Sequence, residues 1–135
     1  MVVKTTSSGE GLLTRCLHLI YFAVIMKEQL GEFEQIVLLA ILRLGDEAYG
    51  ASIRAEIEAC TGRDATPGAM YTTLDRLEAK GMLASRMGDA TPQRGGRAKR
   101  YFKVTRTGEE AVARAQRAYR KLMQGLKLRG GAYAS

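Results

Sequence analysis

The chain has 135 residues, of which 46% are hydrophobic and 26% are charged, and its formal net charge is +7 at neutral pH. This length and apolar content suit one compact domain with an ordinary core and a short appendage. A basic total is a weak signal by itself, but the net charge is −4 over residues 30–62, +4 over residues 88–104 and +5 over residues 105–135. We therefore expect a polyanionic partner to face the C-terminal half.

Residue types that serve catalysis or metal binding are scarce. The two cysteines, Cys16 and Cys60, lie far apart in the sequence, and His18 is the single histidine, so neither a CxxC pair nor a Cys/His cluster is available. The patterns GxSxG, HExxH, GxGxxG and the P-loop do not occur. We expect a protein without enzymatic activity, metal or other cofactor. Isolated cysteines favour a reducing, cytoplasmic location.

Residues 1–29 form an N-terminal extension. Residues 1–11 are polar and rich in Gly and Ser, which is typical of disorder. Leu12 to Met26 are mostly apolar, but they are fewer than the about 20 residues that a membrane span requires, and no signal-peptide cleavage pattern follows them. We interpret the extension as an accessory helix or as sequence added before a natural start at Met26. A helix that packs within a dimer is an alternative; membrane contact is not expected.

Two helices are predicted next. The first spans about Glu32 to Leu44, is apolar over much of its circumference and ends at Gly45, which indicates burial on more than one side. The second spans about Gly50 to Cys60 and ends at Gly62. Its apolar stripe has i, i+4, i+7 spacing and consists of Ile53, Ile57 and Cys60.

The third helix has the clearest start. Thr66 can cap it, and Pro67 suits the first helical position, where a missing N–H costs nothing. The helix runs to Gly81. Apolar residues fall on one side of it: Met70, Leu74 and Leu77. The opposite side is small or polar, so it can approach another surface closely; it comprises Gly68, Ala69, Thr72, Asp75, Arg76 and Ala79.

A hairpin and a last helix complete the pattern. Strands are predicted over residues 82–87 and 100–105, and the Gly-rich turn between them belongs to a segment with five cations and no acid: Arg94, Arg97, Lys99, Arg100 and Lys103. Thr107 and Glu110 form the predicted capping box of the last helix. Its narrow apolar seam is typical of helix-to-helix contact and consists of Val112, Ala115, Tyr119, Leu122 and Leu126.

The order of three helices, two strands and one helix predicts a mainly α fold with a small β-hairpin, a winged helix-turn-helix. We divide the chain into the extension, a DNA-binding domain over residues 30–105, a C-terminal dimerisation helix over residues 106–128 and a tail over residues 129–135. In this fold the third helix enters the major groove of double-stranded DNA. The hairpin wing reaches the backbone, where cations pair with phosphates and glycines permit close approach.

Three blocks resemble the PadR-like bacterial transcriptional regulators: "LGEFEQIVLLAILRLGDEAYG", "PGAMYTTLDRLEAKGML" and "RGGRAKRYFKVTRTGEEAV". The resemblance covers roughly Leu30 to Leu128. It implies a homodimeric regulator, usually a repressor, that dimerises through its last helix with contributions from the first. The single short last helix places the chain with short-tailed members, in which a pocket for a small-molecule effector is less assured. The family's reading helix maps to Thr66 through Lys80, and its wing motif maps to Arg94 through Tyr101.

The sequence predicts one set of DNA-binding residues and one set of dimerisation residues. Tyr71 could contact the DNA backbone or pack against the second helix, and Arg76 could contact DNA or remain solvated. A second function left open is docking of a winged-helix module to a protein or an anionic membrane. The predicted DNA-binding residues are Thr66, Gly68, Ala69, Tyr71, Thr72, Arg76, Arg94, Gly95, Gly96, Arg97, Lys99, Arg100 and Tyr101. The predicted dimerisation residues are Phe33, Val37, Val112, Ala115, Tyr119, Leu122 and Leu126.

Overall fold

The computed structural model describes residues 14–20, 29–89 and 98–130. Residues 14–20 are helical and exposed. The remaining elements, in chain order, are α1 (Glu32–Leu44), a 3-10 turn (Gly45–Glu47), α2 (Gly50–Thr61), α3 (Pro67–Ala79), β1 (Leu83–Met87), β2 (Arg100–Val104) and α4 (Arg106–Met123). This order confirms the predicted mainly helical fold with a two-stranded wing.

The ends of α2 and α3 follow from local chemistry. Gly62 ends α2 in the left-handed conformation with φ of +69°, and its N–H donates to the carbonyl of Glu58. Thr66 caps α3, because its hydroxyl accepts a hydrogen bond of 3.2 Å from the Ala69 N–H, and Pro67 occupies the first position of the helix. The predicted start of α3 is therefore confirmed.

The core lies where the first three helices meet the hairpin. Each helix contributes side chains with no exposed surface, such as Leu38 from α1, Ile53 from α2 and Leu74 from α3, and β2 adds Phe102 at 3% exposure. Burying one such side chain contributes about 1.5–3 kcal/mol to stability. The core thus fixes α3 against both α1 and the hairpin.

The hairpin is antiparallel and is held from both sides. Its register runs from the Leu83 and Val104 pair to the Met87 and Arg100 pair. On the other side of β2, the Phe102 N–H donates to the carbonyl of Ala48 at 2.8 Å, and Tyr49 forms a bridge with Tyr101. The segment before α2 therefore pairs briefly with the edge of β2 that β1 leaves open.

Helix α4 differs from its prediction at both ends. Thr105 is the cap, and its hydroxyl accepts from the Gly108 N–H at 3.3 Å, so the predicted capping box at Thr107 and Glu110 is wrong. The reason is tertiary: Gly108 packs so closely on the hairpin that a Cβ would lie 2.4 Å from the Met82 carbonyl oxygen. The helix ends at Met123, not at residue 128, and Gly125 follows with φ of +79°.

Candidate nucleic-acid interface

Helix α3 presents one buried and one exposed face. Met70, Leu74 and Leu77 have no exposed surface, and Thr73 is also buried, with its hydroxyl donating to the Ala69 carbonyl at 2.7 Å. The exposed face begins at the N-terminus of the helix and comprises Thr66, Gly68, Ala69, Thr72 and Arg76. Outside the adjoining residues and the backbone of its own helix, no atom of the described residues lies within 4 Å of the position that a Cβ on Gly68 would occupy. This face is open to a large partner.

Tyr71 combines the two roles that the sequence left open. Its side of α3 abuts the N-terminus of α2, where a Cβ added to Gly50 would lie 2.7 Å from the Tyr71 hydroxyl oxygen. Tyr71 is nevertheless 49% exposed. One edge of the ring packs against α2, and the remainder stays accessible beside the exposed face of α3.

Arg54 positions the turn between α2 and α3. Its Nε donates to the carbonyl of Ala65 at 2.7 Å, and its Nη2 lies 3.5 Å from the Asp64 carboxylate. Ala65 directly precedes the cap residue Thr66, so this bond orients the entry into α3. Arg54 was not predicted from the sequence, since only tertiary structure shows that the Ala65 carbonyl lies within reach of its side chain.

A polar bridge joins α3 to both strands of the hairpin. The guanidinium of Arg100 donates to the carboxylate of Asp75 at 3.1 Å and to the carboxylate of Glu78. Glu78 also accepts a hydrogen bond of 2.9 Å from the Ser85 hydroxyl on β1. Burial lowers the pKa of Arg100, but hydrogen bonds and charge attraction from the two acids outweigh it and raise this pKa. Arg100 is thus engaged within the chain.

Aromatic rings support the cations at the base of the wing. The rings of Tyr49 and Tyr101 meet edge to face with centroids 5.7 Å apart. The Lys99 ammonium lies 4.0 Å from the centroid of Tyr49, and the Arg86 guanidinium carbon lies 4.6 Å from that of Tyr101. Cation–π attraction favours these positions over the rings, and Arg86 remains exposed while Lys99 is half-buried. Tyr49 and Arg86 were not singled out from the sequence, where their partner rings lie far along the chain.

Four predicted wing residues lie outside the described residues: Arg94, Gly95, Gly96 and Arg97. The predicted dimerisation residues separate into three groups by their exposure. Val37 and Val112 are buried in the core of the chain, at 0% and 5% exposure. Phe33 and Ala115 are half-buried, and Phe33 is covered by the Arg63 guanidinium at 4.7 Å. Tyr119, Leu122 and Leu126 are exposed, and Leu126 lies beyond the end of α4.

Residues 14–20, 29–89 and 98–130 contain neither a metal-binding cluster nor a membrane-spanning helix. Among these residues no group of three or more His, Cys, Asp or Glu side chains could hold a metal ion. None of the helices that they form combines the length and the apolar character needed to cross a membrane.

Comparisons with known proteins agree with this geometry. The Transcriptional regulator PadR-like family matches residues 38–114. Transcriptional regulator Rv3488 of Mycobacterium tuberculosis is 35% identical over 77 residues, which is 57% of this chain and 67% of that protein.

Solved structures are similar as well. A PadR family transcription regulator from Clostridium difficile R20291 is 26% identical, with a TM-score of 0.54 over 67% of this chain and 94% of its own. A PadR-like transcription factor from Bacteroides fragilis shares the fold, with 22% identity and a TM-score of 0.57 over 76% of this chain and 91% of its own. The chain belongs to the PadR-like family of transcriptional regulators, whose winged helix binds DNA.

Proposed function

We propose that the protein is a repressor that binds a pseudo-palindromic DNA operator as a homodimer. The observation that carries this proposal is the division of α3 into a fully buried apolar face and an open face of small and polar residues. A helix with such a face can enter the major groove, which is about 12 Å wide. Repression follows from occupancy, because a bound dimer excludes other proteins from the same DNA.

The exposed face of α3 supplies the groove contacts in this proposal. Thr72 and Arg76 are one helical turn apart on the exposed face and reach towards base edges. Bidentate hydrogen bonding of Arg to guanine is the commonest specific contact in the major groove. The backbone is approached at the start of the helix, where side chains are short and the surface is open, by Thr66, Gly68, Ala69 and the accessible part of Tyr71.

The wing supplies the phosphate contacts. Lys99 is half-buried with its ammonium on the ring of Tyr49, and Tyr101 on β2 packs against the same ring. In the sequence, Arg94 and Arg97 extend the run of cations, and glycine at positions 95 and 96 suits close approach to a DNA backbone. Phosphate contacts set affinity and register, while base contacts set sequence preference.

The exposed apolar side chains of α4 support a dimer. Tyr119 is 48% and Leu122 is 74% exposed, and they lie one turn apart on a helix that also carries exposed charged side chains. A second copy of the same helix would cover them, together with Ala115, Phe33 and Leu126. Two copies of α3 then face DNA half-sites about 34–36 Å apart, one turn of the duplex.

Selection of bound DNA from a random pool tests this function. We expect a recovered motif with two inverted half-sites, centred about 10 base pairs apart. The selected duplex should compete against excess random DNA. If no motif is recovered, and the affinity for DNA depends on salt concentration but not on DNA sequence, the protein is instead a docking module that binds polyanions without sequence preference.

A further inference from the structure

Arg100 belongs by sequence to the cationic wing, yet its surroundings are acidic. Asp75 and Glu78 lie on α3, and both carboxylates are paired with the same guanidinium. The Arg100 guanidinium carbon also lies 4.9 Å from the centroid of the Phe102 ring. Two carboxylates and an aromatic face therefore surround this cation.

The two acids would oppose DNA binding if they were unpaired. Asp75 directly precedes Arg76 on the helix that faces the duplex, and its side chain is 63% exposed. A carboxylate near a phosphate is unfavourable because like charges repel across an interface. Pairing with Arg100 reduces the net charge of these three side chains from −2 to −1 and removes one cation from the wing.

The same bridge sets the orientation of the wing. Glu78 binds Arg100 on β2 through one oxygen and Ser85 on β1 through the other. The hairpin is thus fastened to α3 at both strands by a single carboxylate. Arg100 holds this carboxylate in place from the side of β2.

We propose that Arg100 is a positioning residue: it acts as the internal counterion of α3 and fixes the wing, and it does not bind a DNA phosphate. This inference rests on the proposed DNA binding through α3 and the wing. It corrects the prediction that Arg100 belongs with the phosphate-binding cations.

A charge-cancelling set of variants tests the proposal. Arg100→Met exposes two unpaired carboxylates and should weaken binding to a random-sequence duplex about tenfold. The triple variant Asp75→Asn, Glu78→Gln, Arg100→Met removes the acids as well, and its affinity should return to within about threefold of the parent, with the salt slope of the parent. A phosphate contact predicts instead that the triple variant stays weak and that its slope falls by about 0.9. That result would overturn the proposal.

A second measurement follows DNA binding by the parent protein itself. NMR signals of the Arg100 guanidinium, assigned by comparison with Arg100→Lys, should keep their positions when the duplex is added to the parent protein. A shift accompanied by contact with phosphorus would overturn the proposal even if the triple variant did not fold. If the parent protein did not bind DNA at all, the proposed function would fail, whereas binding by the parent without rescue in the triple variant would count against the counterion role alone.

Discussion

The Lys80 ammonium, just after α3, lies 2.7 Å from the Glu34 carboxylate of α1, and the two side chains are only 12% and 9% exposed. Lys80 also donates to the carbonyl of Gln29 at 3.1 Å. This ion pair connects the start of α1 to the end of α3 inside the protein.

Removing one partner of this pair should be costly. Lys80→Met leaves a buried carboxylate without its cation, and we expect a loss of about 3–5 kcal/mol in the free energy of unfolding. Urea denaturation measures it. The double variant Glu34→Leu, Lys80→Met should regain most of this loss, because both charges are then absent. Equal losses in the single and double variants would show that packing, and not charge, dominates at this site.

Two glycines should respond in opposite ways to an added methyl group. Gly108→Ala drives a Cβ against the Met82 carbonyl, so we expect a loss of about 1–3 kcal/mol in stability. Gly68→Ala meets no neighbour and should gain up to about 1 kcal/mol from helix propensity. Thermal unfolding compares the two. Gly68→Ala should also weaken DNA binding without loss of folded protein, since the added methyl group lies where the DNA backbone is proposed to pass.

The exposed apolar side chains of α4 should control oligomeric state. Tyr119→Glu with Leu122→Glu places like charges in the proposed interface, and sedimentation should then show a monomer. Arg117→Glu with Lys121→Glu is the matched control, because these residues lie on the opposite side of the same helix and change the charge by more. A monomer in the control, or an unchanged dimer in the test variant, would move the interface elsewhere.

The reading helix and the wing should contribute different kinds of affinity. Thr72→Ala with Arg76→Ala should reduce the preference for the selected operator by about 1–3 kcal/mol per lost base contact while retaining most affinity for random DNA. Arg94→Ala, Arg97→Ala and Lys99→Ala together should weaken binding to both duplexes and lower the salt slope by about 0.9 per lost phosphate contact. Fluorescence anisotropy over a salt series measures both. A parental slope in the wing variant would exclude the phosphate contacts.

Acid should remove one stabilising contact between α1 and α2. A hydrogen bond from Arg43, followed by one from the Cys60 thiol, lowers the pKa of Glu56 below its ordinary value of 4.5. Because the pKa is lowered on folding, the stabilisation is present above about pH 4.5 and disappears as the pH falls through the pKa of the folded state. Glu56→Gln should therefore have a lower urea midpoint than the parent at pH 7 and an equal one in strong acid. A constant difference across this range would assign the effect to packing.

The elements that the sequence predicted well are those set by local chemistry. Thr66, Pro67 and the flanking glycines determine where α3 begins and ends, and each acts within a few residues of itself. The start of α4 could not be predicted in this way, because the position of Gly108 depends on contact with Met82 in the hairpin. Sequence periodicity also assigned Val112 to a dimer seam. A repeating apolar position indicates that a side chain is covered, but it does not reveal which neighbour covers it.

The same limit applies to the candidate site. The open face of α3 was predictable from helical spacing, because exposure alternates with the helix period. The pairing of Arg100 with Asp75 and Glu78 was not predictable, since these acids lie 25 and 22 positions before Arg100 in the sequence. A run of cations shows where positive charge is concentrated but does not show which cations are already neutralised.

The attachment of β2 to Ala48 and Tyr49 has a consequence for the DNA itself. Because β2 is held on one side by β1 and on the other by the segment before α2, the base of the wing moves together with the helices. In the proposed complex the protein then sets the separation between groove contacts and backbone contacts, and we expect the duplex to adjust its bend or groove width to meet both. Base steps that deform easily should therefore be preferred in the operator at positions that no side chain touches.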